Sequence, residues 1–230
     1  TAVGYTERPD VLCAKILEGR VGIVVDGSPH VLTVPYFFIE AFQTAEDYYN
    51  NFSSSSILRL LRYAAFFLTI LAPAIYVALS TYHQELIPTS LLLTMSAAKE
   101  GIPFSAFFEA LVMMVVFEIL KEAGIRLPQP IGQTISIVGA LVMGEAAVSA
   151  GFVSAPLVIV IAFTAVSGFV VSFLSSQILL LRFIFLLLAG LLGGYGIALG
   201  VLVMLIRIAD MESFGYKYMS PFVPFNLIDQ

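Results

Sequence analysis

Between Arg62 and His83 the chain passes through twenty residues, Tyr63 to Tyr82, without one charged side chain. Further on, Ile178 to Ile206 is interrupted by Arg182 alone. At about 1.5 Å per helical residue, such a run extends about 30 Å, the thickness of a bilayer's hydrocarbon core. A chain holding these runs must bury them in a very large core or in lipid. Composition decides between the two: 59% of the 230 residues are hydrophobic, 12% are charged, and the mean hydropathy is +0.96. Soluble domains carry about 25% charge and about 45–50% apolar residues. The expected fold is therefore mainly α, a polytopic helical membrane protein.

Two more segments have spanning length: Ile131 to Ala150, rich in small residues, and Phe152 to Ser176, with Pro156 in its first turn. Pro103 to Leu120 is apolar but contains Glu109 and Glu118. Nine residues apart, the two carboxylates point to opposite faces of a helix, and either is costly in contact with lipid. This segment is expected to lie at the interface, to re-enter, or to pack among other helices. Arg59, Arg62, Arg207 and Lys217 favour four spans by the positive-inside rule, whereas Lys121 and Arg126 favour five. Four spans plus an embedded amphipathic helix is the expectation.

Residues 1–52 alone have soluble composition. Glu7 to Arg20 reads as an amphipathic helix with Pro9 early and Gly19 at its end. VGIVV and VLTV flank Asp26-Gly27-Ser28-Pro29, a hairpin signal, and short aromatic helices are expected near Phe37–Phe42 and Ala45–Tyr49. A hairpin alone is marginal in water. The chain opens on Thr1 with no signal-peptide pattern, so residues 1–52 are expected to be a small α/β segment, the C-terminal end of a larger cytosolic domain trimmed away before it. A linker at 53–62, a transmembrane helical domain at 63–207 and a cytosolic tail at 208–230 complete the expected plan.

Charge and motif exclude several functions. A net charge of −5 without a basic stripe argues against nucleic acid. Cys13 is the single cysteine, His30 and His83 are far apart, and no Walker loop, nucleophile elbow or zinc-protease motif occurs. No metal, cofactor or enzymatic activity is expected. Glu145 is the residue to single out, because a carboxylate inside an apolar span is by default a functional hypothesis. At helical spacing it shares a face with Thr134, Val138 and Leu141, the polar–apolar–acidic order from which cation pores are built. The plainer alternative is that Glu145 is solvated at a helix end or bonds a neighbouring helix. Gly132, Ser136, Ala140 and Gly144 form a small-residue face suited to close helix packing, and the glycines from Gly190 to Gly200 read the same way. Arg182, four residues into its run, is expected to snorkel to the interface, with pairing to Glu118 or Glu145 as the alternative.

Several strings together resemble one family. They are ERPDV (7–11), EGRV (18–21), VDGSP (25–29), FQTAEDYY (42–49), EGIPFSAFFEAL (100–111) and FEILKEAGIRLPQPIGQTISIVGALVMGEAAVSAG (117–151). Collinear over nearly the whole chain, they resemble the GerA-type A subunits of the nutrient receptors that trigger bacterial spore germination. The resemblance implies a multi-pass protein of the spore inner membrane. It implies partnership with a permease-like B subunit that binds the nutrient and a lipoprotein C subunit. It also implies a homo-oligomer, a pentamer, acting as a nutrient-gated channel for monovalent cations. The chain departs from relatives at three places: Glu145 where they often carry Gln, Met114 where many have a second acid, and Ser172–Ser175, which lacks a proline. A secondary transporter subunit and a passive scaffold of the receptor complex are the alternatives. No internal repeat of the transporter kind is evident.

Overall fold

The computed structural model describes residues 3–126, 139 and 142–220, the side chain of Ser172 excepted. It divides into two compact units, Thr1–Tyr63 with Val201–Gln230, and Ala64–Gly200.

The first unit opens with strand β1 (Gly4–Thr6), helix α1 (Pro9–Leu17) and strands β2 (Val21–Val24) and β3 (Val31–Val34). The expected hairpin is present: β2 pairs antiparallel with β3, Val21 opposite Val34 and Val24 opposite Val31. Strand β1 adds to the other edge of β3, with Tyr5 opposite Leu32, so the sheet order is β1-β3-β2. That third strand supplies the support a lone hairpin lacks. Helix α1 is shorter than expected because Gly19, at φ +86°, turns the chain into the left-handed region just past its end. Gly22 lets α1 lie close on β2, since a Cβ there would stand 3.0 Å from Leu12 Cδ1. Two 3-10 turns follow, Phe38–Phe42 and Ala45–Tyr48. The C-terminal hairpin, β4 (Glu212–Ser213) with β5 (Tyr216–Lys217), joins the same unit. There Tyr36 N donates to Ser213 Oγ at 3.2 Å and Phe38 N to Tyr218 O at 2.9 Å.

Helix α2 runs from Phe52 to Thr81. Residues 53–62, expected as a linker, are its first turns. Their serines need not break a helix, because the hydroxyls find acceptors: Ser55 Oγ donates to Asp47 O and Ser56 Oγ to Phe52 O.

The second unit contains α2 from Ala64, then α3 (Thr89–Lys99), α4 (Ala106–Arg126), helix α5 (described at residues 139 and 142–149), α6 (Ala155–Val170) and α7 (Ser175–Asp210) as far as Gly200. Helix α3 was not anticipated. Its core gathers Tyr76 and Val77 from α2, Met114 from α4, Leu157 and Ile161 from α6 and Leu186 from α7. Among the described residues, α2 and α7 are long and apolar enough to cross a membrane. Helix α6 is apolar but has only 16 residues, about 24 Å at 1.5 Å per residue.

Candidate functional site

The apolar core of the second unit encloses a carboxylate. Glu109, four residues into α4, is 1% exposed. Its Oε2 accepts from Ser154 N at 2.9 Å and from Ser154 Oγ at 3.0 Å. Ser154 is the N-cap of α6, so the carboxylate sits where the helix's free N–H groups and dipole favour negative charge. The serine hydroxyl spends its one proton on Glu109, which makes Tyr76 the donor in the 3.2 Å contact between its OH and Ser154 Oγ. A directed chain thus runs from Tyr76 through Ser154 to Glu109 Oε2. Among the described residues the other oxygen, Oε1, is buried without a hydrogen-bond partner. The ammonium of Lys99 from α3 lies 5.6 Å from the centre of the Tyr76 ring.

Glu118, on the far face of α4, meets different company. Its Oε1 accepts from Lys121 Nζ at 3.1 Å, and its Oε2 lies 3.7 Å from Arg182 NH1. Arg182 Nε donates to Thr69 O at 3.1 Å, and the residue is 4% exposed. Arg182 therefore does not snorkel; it turns inward and pairs with Glu118, the alternative weighed from the sequence. The opposite-face spacing sends the two acids to separate partners, Glu109 fully buried and Glu118 partly exposed.

Thr134, Val138 and Leu141 lie outside the described residues, as do Gly132, Ser136 and Ala140. Glu145 and Gly144 fall on α5. Gly144 is buried, and a Cβ there would stand 3.3 Å from Val158 Cγ1 of α6. Ala147 and Val148 pack on the core from the same face. Glu145 is exposed, on the side of α5 away from that packing. Among the described residues it has no ion-pair partner.

Sequence reasoning missed a break in α7. Gly193 adopts φ +61°, ψ −139° inside the helix. The groups this frees are taken up by the residues just past α2: Tyr82 OH donates to Gly190 O at 2.7 Å, and Gly194 N donates to His83 Nε2 at 3.2 Å. The available signal was the adjacent pair Gly193-Gly194, which the small-residue reading absorbed.

The first unit holds two buried acids of its own. Asp47, 5% exposed, accepts from Arg62 NH1 at 2.7 Å and NH2 at 3.0 Å, and from Arg59 Nε at 3.3 Å. The hydrogen bonds from Arg62, against the opposing effect of burial, hold its carboxyl well below the usual carboxylate range. Glu40 lies between Arg20, bonded to its Oε1, and Lys15, whose Nζ is 3.2 Å from Oε2 in an ion pair rather than a directed hydrogen bond. Burial, with the Glu40 charge adding to it, pushes the Tyr218 hydroxyl up to about 12.

All 230 residues match the family described as Bacillus/Clostridium GerA spore germination protein. The chain belongs to that family. It is 49% identical over 224 residues to spore germination protein KA of Bacillus subtilis (strain 168), covering 96% of this chain and 41% of that protein. Spore germination protein GerLA of Bacillus cereus is 46% identical over 221 residues, 95% of this chain and 45% of the relative. Spore germination protein A1 of Bacillus subtilis (strain 168) is 45% identical over 218 residues, 94% and 45% of the two chains. The chain spans less than half the length of these curated relatives. No solved structure matches.

Proposed function

We propose that this chain is the membrane-embedded part of the A subunit of a nutrient germinant receptor, working in spore germination at the spore inner membrane. The family match over the whole chain carries this reading. A further relative, 48% identical over 223 residues, is named a membrane protein, YfkQ of Bacillus subtilis (strain 168). The exposed stripe of α6, Ile159, Phe163, Val166 and Val170, each at least 50% exposed, is the surface lipid or a neighbouring subunit covers.

In this reading several copies, five by the family resemblance, assemble with the permease-like B subunit and the lipoprotein C subunit. Nutrient binding to the partner favours an open oligomer, and monovalent cations flow without covalent chemistry. Glu145 supports the ion path. Arg182 and Glu109 are turned into the subunit, while Glu145 faces outward from the packed side of α5. A secondary transporter is the second reading, favoured by the broken helix α7, because transporters place discontinuous helices at their ion sites.

Cation flux through the full-length protein in liposomes tests the channel. Val138→Ala is expected to raise the leak and Glu145→Gln to change cation selectivity. Confirmed oligomers that pass no current in any form, with B and C subunits present, would sink it in favour of a scaffold.

A further inference from the structure

In an unbroken α7 the Gly194 N–H would donate to the Gly190 carbonyl four residues back. Here that one bond is split, and each half goes to one of two consecutive residues beyond α2: the carbonyl to the Tyr82 hydroxyl, the N–H to the His83 imidazole. Tyr82 OH also lies 3.4 Å from Leu191 O, the next carbonyl in line. The two glycines let this approach happen. A Cβ at Gly193 would stand 2.9 Å from Tyr82 Cγ, and one at Gly194 would stand 2.9 Å from His83 Nε2. Gly193 alone tolerates the positive φ without strain. A cleft of about 400 Å³ lined by Thr81, Ser105, Phe107, Leu187, Gly190 and Leu191 adjoins the break, so the carbonyl side has room to rearrange.

The His83 bond has a chemical condition. Nε2 accepts only when it carries no proton, so the ring here is the neutral tautomer with its hydrogen on Nδ1. An imidazolium has no acceptor to offer. Gly194 N–H would then be left without a partner, and its nearest recourse along the backbone is Gly190 O, the bond of the continuous helix.

We infer that the break in α7 is a proton-released hinge: neutral His83 pins the helix open at Gly193–Gly194, and protonated His83 lets the Gly194–Gly190 bond re-form. On its own segment His83 is preceded by Tyr82 and followed two residues on by Glu85, and from α7 Tyr195 faces it, the ring centres 6.3 Å apart. No acid from α7 is among the described residues near the ring, so the pin is set by the split backbone bond rather than by an ion pair. The inference stands apart from the channel reading, because its measurement needs no ion flux.

The test is a pulsed electron resonance distance between spin labels at Leu180 and Leu199, both exposed and on either side of the break. The sample is the full-length protein in lipid nanodiscs, on a background with Cys13 and any other cysteine replaced. Distances are read at about pH 8 and about pH 5. The wild type is expected to show two distances, one at each pH. His83→Gln is expected to hold the high-pH distance throughout, because an amide oxygen accepts but does not titrate. His83→Phe is expected to show the low-pH distance at both. One unchanging distance in the wild type would overturn the inference. So would a pH shift that persists in His83→Gln, a result that needs no folded His83→Phe protein.

Discussion

The two units bury acids under different terms. In the first, Asp47 sits between Arg59 and Arg62, and Glu40 between Arg20 and Lys15. In the second, Glu118 sits between Lys121 and Arg182, whereas Glu109, which the Lys99 ammonium reaches only electrostatically, takes its hydrogen bonds among the described residues from Ser154 alone, both on one oxygen. A carboxylate held by two cations is fixed on all sides and serves to position the elements that carry it. One held on a single oxygen in an apolar core is tolerated by the fold rather than needed by it. Departures from full satisfaction concentrate where function overrides stability. The difference separates acids held by two cations each from one whose hydrogen bonds fall on a single oxygen.

The largest effect expected is at Asp47. Asp47→Asn keeps the shape but strips Arg62 and Arg59 of their charge partner, at a cost of about 3 kcal/mol, the lower end for a broken buried pair because both arginines retain some water. The depressed carboxyl also fixes the sign of an acid response. The unfolded chain binds this proton near pH ~3.9, above the native value. The stabilisation is therefore complete above that pH and fades as pH falls toward the native value. Denaturant unfolding of the full-length protein between about pH 3 and about pH 6 should show a steep acid loss in the wild type and a flatter one in Asp47→Asn. Equal slopes would mean that Asp47 does not carry the response.

A smaller, asymmetric effect is expected at the Glu118 pair. Glu118→Gln leaves Arg182, 4% exposed, with the Thr69 carbonyl and no counter-charge, a loss of about 2 kcal/mol. Arg182→Met fills much of the same volume and leaves Glu118 still bonded to Lys121, a loss of about 1 kcal/mol. Thermal unfolding in detergent ranks the two. The reverse order would mean that Arg182 reaches water by the snorkelling route after all.

Much of this architecture was legible in the sequence. Period and turn chemistry located the β2–β3 hairpin and α1, and the length of uncharged runs located α2, α6 and α7. The two-face spacing of Glu109 and Glu118 left three placements open for α4, at the interface, re-entrant or packed among helices, and the structure shows the packed one. The misses share a cause: each depends on a partner outside the segment's own pattern. Ser53–Ser56 reads as a linker until Asp47 O is available to accept from Ser55. Arg182 reads as a snorkel until Glu118, 64 positions earlier, comes within reach. Gly193 reads as packing until Tyr82 and His83 supply the donor and acceptor that a broken helix requires. No periodicity encodes such encounters.

The smallest effect expected is the one that tests the comparison most directly. In Glu109→Gln the amide oxygen can take the place of Oε2 and accept the same two bonds from Ser154, while the charge, which Lys99 meets only electrostatically, disappears. The amide NH₂ replaces an unpartnered oxygen, and a neutral group is far less costly to bury than a charged one. Unfolding free energy should therefore change by about 0.5 kcal/mol or less, in either direction, against about 1 kcal/mol lost in Ser154→Ala, which removes the hydroxyl from both Tyr76 and Glu109. A Glu109→Gln protein as damaged as Asp47→Asn would erase the distinction, and Glu109 would join the acids that build the fold. A protein that stays stable but no longer supports germination when returned to spores would sharpen it, because a side chain whose charge the fold can lose and the function cannot is there for its charge.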